Sequence, residues 1–437
     1  MSKEDIINEA EKSYKNKAYD LSLPLFKEIW DKYKINDPYT LFKYGNVLRK
    51  NNLGLDYIEI YKNFDFSNTT AIQKNYVDRI LSWCLYDLYI KNFDVEKDNY
   101  DNFILNAHKI LEIQSSNNHD YYESAFVKTC LRVVKEIAKR TVIPNYKEII
   151  WWIELLDVGK LSIEPFRFKD SNSIERELAS DKETYYSILS KCYEKINDYP
   201  KCHEICEMAI KDKDIVKFHY RNHIWINERK LYCECFINQD YEKAINQYAQ
   251  FAEKYKRCYM FHKCAALYFS RSDIKNSVLY GSKALLLEHD IPKIINLLED
   301  LAYYWREFGN SNTSKKFFYV CTYYRTKRRW KISQELAYEI KEYGFNFIEK
   351  PDYNELVNIS KDFINNNSSN KINAGVIVDI NYKKKFGFIK QDNDSKDIHF
   401  NFKNVIDKKI LYKNTRVIYE AIVDNRNMKD AINLRGE

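Results

Sequence analysis

Glycine and proline are scarce in this chain, nine and seven in 437 residues, so few residues are present that would interrupt a helix. No Gly-rich phosphate loop, Ser nucleophile elbow or His-Glu-x-x-His segment occurs. The expectation is a protein that is not an enzyme and has no cofactor. No two of the ten cysteines form a Cys-x-x-Cys pair, and the start "MSKEDIINEA" is too charged for a secretion signal. Reduced thiols in small core positions, and a cytoplasmic location, are expected. Nowhere does an apolar run approach the roughly 18 residues of a membrane span.

Metal-ligand sets are also missing. His219 and His223 stand four apart, as two ligands on one helix face would, but no third ligand is evident and zinc needs three or four. Cys258, His262 and Cys264 lie close in sequence at a spacing that fits no standard zinc motif. Both groups read as structural.

The 45% hydrophobic content suffices for packed cores, and the length allows two or three domains. Net charge is +7 overall, and residues 371 to 437 hold 14 Lys+Arg against 9 Asp+Glu, a net of +5. The excess positive charge is therefore concentrated at the C-terminal end.

Up to about residue 350 the apolar period is close to 3.6, that of helices. "SKCYEKINDYPKCHEICEMAI" sets Ser190, Tyr193, Tyr199, Cys202, Cys206 and Ala209 at offsets that recur around Cys235, Ala265 and Ala302, in steps of 42, 33 and 37 residues. These offsets resemble the small and aromatic packing positions of tetratricopeptide repeats, whose period is about 34. A mainly α fold is expected: an irregular repeat-like region over 1–156, a hairpin or loop over 157–183, and repeats over 184–350. "ERELASDKE", 175–183, reads as a helix start, and Pro38 after Asp37 as a first-turn residue. Trp151, Trp152, Trp225 and Trp305 read as core. Stacked helix pairs make a groove suited to a protein partner.

"NNNSSNK" at 365–371 closes an expected linker over 351–372. The period then changes to two. "GVIVDI", "FGFIK", "DIHFNF", "TRVIYEAIV" and "KDAINL" are five strand candidates over 373–437, enough for a small five-stranded barrel. Strand alternation places Phe386 and Phe388 on one face and Gly387 and Ile389 on the other, with His399 and Asn401 opposite Ile398 and Phe400. Exposed rings beside Lys383, Lys384, Lys385 and Lys390 suit single-stranded nucleic acid, because rings stack on bases and ammoniums meet phosphates.

Residues 374–437 resemble a cold-shock domain, an OB-fold barrel. Lys384, Phe386, Gly387, Phe388 and Ile389 match its first motif, Lys-Gly-Phe-Gly-Phe-Ile. Asp397, Ile398 and Phe402 match its second, Asp-Val-Phe-Val-His-Phe, at the same separation. Gly375 and Asn381 match the first strand, and "AINL" at 431–434 the family's ending. The resemblance implies that Phe386 and Phe388 stack bases, His399 stacks or hydrogen-bonds, Phe402 supports the platform edge, and Lys384 and Lys385 meet phosphate. Tyr382, Lys383, Lys390 and Asn401 are secondary candidates. It favours single-stranded RNA over DNA. Departures stand at Asp379-Ile380, where the family has Trp-Phe, at His399 and Asn401 in place of Phe and His, and at Lys385 in place of Gly.

A further basic run, "YYRTKRRWK" at 323–331, offers Arg325, Arg328 and Arg329. Its ordinary reading is the solvated face of a late repeat helix. The chain is thus expected to be an adaptor joining single-stranded nucleic acid to a protein partner. Two competitors remain: an interaction scaffold whose barrel has lost nucleic-acid binding, and a metal-dependent nuclease assembled from scattered carboxylates.

Overall fold

The computed structural model describes residues 2–34, 37–114, 124–141, 143–215, 218–219, 222–347, 349–367, 372–392, 394, 396–406, 408–423 and 429–437. Residues 365–367 of "NNNSSNK" fall within this set and 368–371 lie outside it. The chain divides into two compact units, Met1–Tyr248 and Ala249–Glu437.

The first unit carries α1 (Lys3–Lys15), α2 (Tyr19–Asp31), α3 (Pro38–Lys50), α4 (Gly54–Asn63), α5 (Ala71–Leu85), α6 (Tyr100–Gln114), α7 (Ala125–Arg140), α8 (Tyr146–Glu154), α9 (Asp181–Lys195), α10 (Tyr199–Lys211) and α11 (Asn222–Ile237). Helix α12 (Tyr241–Tyr255) crosses the boundary. In the second unit follow α13 (Cys258–Phe269), α14 (Ile274–Leu285), α15 (Ile291–Glu307), α16 (Ser311–Lys327), α17 (Gln334–Tyr343) and α18 (Tyr353–Asn367). They form tetratricopeptide-like helical hairpins of the solenoid class, in which a helix packs on its sequence neighbour.

Five hairpins share one turn. In α1/α2, α3/α4, α9/α10, α13/α14 and α15/α16 the first helix ends on a left-handed residue, Lys17, Asn52, Asn197, Ser272 or Gly309. The residue after it donates its N–H five residues back, as in Ala18 to Ser13 at 2.9 Å, Leu53 to Leu48 at 2.8 Å and Asp273 to Tyr268 at 3.0 Å. This is the Schellman closure, which satisfies the last carbonyls of a helix. In three turns the same following residue, Asp198, Asp273 or Asn310, then caps the next helix with its side chain. Two residues thereby end one helix and begin another. Only one of the five left-handed positions is glycine, so replacing Ser272 by Gly should remove backbone strain. A gain of about 0.5–1 kcal/mol is expected, read as a higher midpoint in chemical denaturation.

Small residues sit where helices approach. A Cβ added at Gly281 would lie 2.7 Å from Leu301 Cδ2, and the Cys202 thiol donates to the Ser190 carbonyl at 3.1 Å. Asp37 caps α3 with Pro38 in its first turn, as its sequence implied. Of the four tryptophans expected in the core, Trp152 and Trp305 are buried, whereas Trp151 and Trp225 are 47% and 43% exposed. Helical spacing marks a face but does not tell which of two adjacent rings reaches the core.

Two other expectations change. The stretch 351–372 is largely helix: Leu356, Ser360 and Phe363 form the buried stripe of α18, and Phe363 packs edge-on against Trp305 at 4.9 Å. Its polar end concealed an amphipathic helix. "ERELASDKE" begins as a strand, and the helix starts only at Asp181 behind the Ser180 cap. That strand, β2 (Glu175–Leu178), pairs antiparallel with β1 (Phe166–Lys169). The hairpin turn is held by Asp170, whose carboxylate accepts from Asn172 and Ile174.

In the second unit β3 (Ile372–Asn381), β4 (Phe386–Gln391), β5 (Ile398–Asn401), β6 (Arg416–Val423) and β7 (Lys429–Gly436) close a barrel in the order β3-β4-β5-β7-β6. Every pairing is antiparallel except β5 with β7. Ile377, Ile389, Ile398, Phe400, Val417, Tyr419, Ala431 and Leu434 fill it.

Candidate nucleic-acid interface

Burial along β4 and β5 alternates as strand geometry requires. Gly387, Ile389, Ile398 and Phe400 are buried, while Phe386, Phe388, His399 and Asn401 are half-buried on the outer face. The ladder sets Phe388 opposite His399 and Phe386 opposite Asn401. Ring centroids are 5.8 Å apart for Phe386 and Phe388, 5.4 Å for Phe386 and His399, and 5.5 Å for Phe388 and His399. The two phenylalanines meet at 85°, so they offer one face and one edge rather than a continuous plane.

His399 is oriented by Asp430, whose carboxylate accepts from Nδ1 at 2.8 Å. The other ring nitrogen of the neutral imidazole is then an acceptor. Sequence reading missed Asp430, because the parallel β5–β7 register that pairs it with His399 is non-local.

The lysines come from the β3–β4 turn. Asn381 accepts the Lys384 N–H at 2.9 Å, and Lys385 adopts φ 57°. Lys383, Lys384, Lys385 and Lys390 are all exposed. At Lys385 a side chain occupies backbone space that glycine fills without strain. Lys385→Gly is therefore expected to stabilise the barrel by about 0.5–1 kcal/mol in a denaturant titration. If Lys385 meets phosphate, the same change lowers the salt slope of oligonucleotide binding by about 1.

Phe402 lies apart from the three rings. It opens a short 3-10 turn, Phe402–Asn404, stacks over buried Phe400 at 6.3 Å and meets Tyr382 edge-on at 5.9 Å. Tyr382 donates its hydroxyl to the Leu411 carbonyl at 2.6 Å. Asn401 accepts the Lys403 N–H, capping that turn. The pair Tyr382–Phe402 forms a second small aromatic surface at the strand ends.

The run at 323–331 splits. Arg325 is 13% exposed, paired with Glu299 at 2.7 Å and bonded to Asn296 and the Lys331 carbonyl. This half-buried guanidinium already holds three acceptors and has little left for phosphate. Arg328 lies over Trp330 at 5.1 Å, and Arg329 is the left-handed residue closing α16; both are exposed.

His219 precedes α11 and His223 lies within it, so they do not share a helix face. His262 instead pairs with Asp300 at 2.6 Å. Among the described residues no group of three His, Cys, Asp or Glu is placed to hold a metal ion, and no helix is long and apolar enough to cross a membrane.

A basic concavity in the first unit was not foreseen. Two adjoining cavities of about 830 and 670 Å³ share Arg49, Trp83, Lys128, Phe166, Ala179 and Asp181. Arg49 lies over the Trp83 ring at 4.5 Å and pairs with Asp87 at 2.6 Å; Lys128 pairs with Asp181 at 2.9 Å. Lys128, Arg132, Lys135 and Lys139 recur along α7 at a spacing that makes one stripe. Partial desolvation along this wall, reinforced by the neighbouring cations and opposed by Asp181, holds the ammonium of Lys135, an exposed residue, below its ordinary range. The stripe was visible in the sequence as "KTCLRVVKEIAK", but only the structure shows the hollow it borders.

No family model matches the chain, and no curated protein matches it. Among solved structures, the C-terminal part of a TPR repeat-containing protein from Cytophaga hutchinsonii is 13% identical, with 67% of this chain and 98% of that one covered at a TM-score of 0.30. The TPR domain of P58(IPK) is 12% identical, with 84% and 100% covered at a TM-score of 0.25. At such scores neither likeness bears on function, and the repeat character rests on the five shared turns.

Proposed function

We propose that the C-terminal barrel is a cold-shock-like module that binds single-stranded nucleic acid, RNA in preference to DNA, and that the helical repeats hold a protein partner, without catalysis by the chain itself. The observation that carries this reading is the outer face of β4 and β5. Three half-buried rings share one surface beside four exposed lysines, and a soluble domain has little reason to keep such a surface without a ligand. The preference for RNA follows from the cold-shock resemblance. Ten free cysteines, nine of them buried, suit a cytoplasmic setting.

Fluorescence anisotropy of labelled single strands across a salt series tests the proposal. With three or four lysines on phosphate, log affinity should fall against log salt with a slope of about −2 to −3. Affinity indifferent to salt, or no binding at all, would remove the nucleic-acid reading. Shortening of the strand on adding divalent metal would overturn the non-catalytic one.

The basic hollow bordered by α7 supports the second half of the proposal. Its excess cations fit an acidic partner segment, and Phe166 at its rim, 63% exposed, supplies apolar surface.

A further inference from the structure

We infer that the ring face of the barrel selects guanine among single-stranded bases, through the carboxylate of Asp379; this rests on the proposed stacking of bases on Phe386 and Phe388. Asp379 is directly opposite Phe388 in the β3–β4 ladder, and Asn381 is opposite Phe386. Residues so paired put their side chains on one face with Cβ atoms about 4.5–5.5 Å apart. Asp379 is exposed. A base lying on the Phe388 ring thus has this carboxylate within reach of its edge.

The other carboxylate and the two amide side chains around the rings are already engaged. Asp430 holds His399, Asn381 accepts from the Lys384 N–H, and Asn401 accepts from the Lys403 N–H. The Asp379 carboxylate has no hydrogen bond or ion pair among the described residues, the backbone of the residue being held in the β3–β4 ladder. It is the uncommitted carboxylate of the face, beside the single acceptor nitrogen that His399 keeps, and an ionised carboxylate accepts only.

Base chemistry then decides the choice. Two carboxylate oxygens take two parallel N–H donors in a fork, the geometry that makes Arg–carboxylate pairs strong. Guanine presents N1–H and N2–H side by side on its Watson–Crick edge. Uracil and thymine present one N–H between two carbonyl oxygens, which the carboxylate repels. Adenine and cytosine offer one amino group beside a bare ring nitrogen. The expected order is guanine first, adenine and cytosine between, uracil and thymine last. The same charge repels phosphate, so a strand that gives Asp379 no donor is held less tightly than the lysines alone would hold it.

The test uses the full chain and fluorescein-labelled hexanucleotides: hexauridylate, and the same strand with one central guanine or one central inosine, which lacks the N2 amino group. Guanine should tighten binding about 5- to 100-fold over uracil, and inosine should lose most of that gain. Asp379→Asn, at an exposed position and checked by circular dichroism, should bring the guanine and uracil strands to about equal affinity while raising the affinity for hexauridylate. Equal wild-type binding of all three strands, or a guanine preference that survives in Asp379→Asn, overturns this inference and leaves the stacking reading standing. Failure to bind any strand overturns both.

Discussion

Replacing Phe386 and Phe388 together by alanine is expected to reduce affinity for a single-stranded oligonucleotide by about 30-fold to 10⁴-fold. A base stacked on an aromatic ring contributes about 1–3 kcal/mol by alanine substitution, so two rings account for about 2–6 kcal/mol, at 1.4 kcal/mol per tenfold. Both side chains point away from the barrel core, and the residues that fill the core, Ile389, Ile398 and Phe400, are untouched. The far-ultraviolet spectrum and the unfolding midpoint should therefore change little while binding collapses. His399→Ala alone should cost less, since it removes one ring and leaves two. Binding that survives the double change would transfer attention to Arg328, Arg329 and the basic hollow bordered by α7.

Gly387→Ala should unfold the barrel or come close to it. A Cβ at this position would lie 2.5 Å from Phe400 Cζ, 2.6 Å from Phe400 Cε1 and 2.6 Å from the Asp379 carbonyl oxygen. The Phe400 ring is fully buried, and the carbonyl belongs to the paired strand β3. Neither can step aside cheaply. Overpacking a core ordinarily costs about 1–3 kcal/mol and sometimes more; a clash that includes backbone belongs at the upper end, a large share of the stability of a small domain. Thermal unfolding of the full chain should show the barrel transition lowered or lost. Phe400→Leu in the same chain shortens the opposing side chain and should restore part of the loss. An unchanged transition in Gly387→Ala would mean that the strand is not packed as described. The pair of phenylalanines and the glycine between them thus have separate work: the rings face outward from the barrel, and the gap lets β4 lie against the ring of Phe400.

Most of this could be read from residue order because it is local. Alternation over "FGFIK" and "DIHFNF" depends only on strand geometry, so the outward faces of Phe386, Phe388 and His399 follow without knowing the fold. What escaped was decided by partners distant in sequence. Asp430 reaches His399 through a parallel pairing, and Arg325 finds Glu299 on the neighbouring helix α15. Resemblance puts Phe402 at the platform edge, but only the fold shows that the turn it opens carries it to Tyr382. The stretch before the barrel looked like a linker because asparagine and serine crowd its end, while the three residues that bury it, Leu356, Ser360 and Phe363, are few and widely spaced. The hairpin turns were hidden for the opposite reason: glycine advertises a left-handed residue, and here lysine, asparagine and serine take that conformation.

Barrel closure in the order β3-β4-β5-β7-β6 has a consequence for synthesis. The ribosome delivers Phe386, Phe388 and His399 well before β7, the strand that covers the outer edge of β5 and brings Asp430 to the imidazole. A nascent chain that has emerged only as far as Val423 would hold its aromatic surface next to an unpaired strand edge, a state open to pairing with other chains. If the barrel holds a nucleic acid as proposed, that competence arrives with the docking of Lys429–Gly436, and a pause between β6 and β7 would prolong the interval in which the edge of β5 lies open.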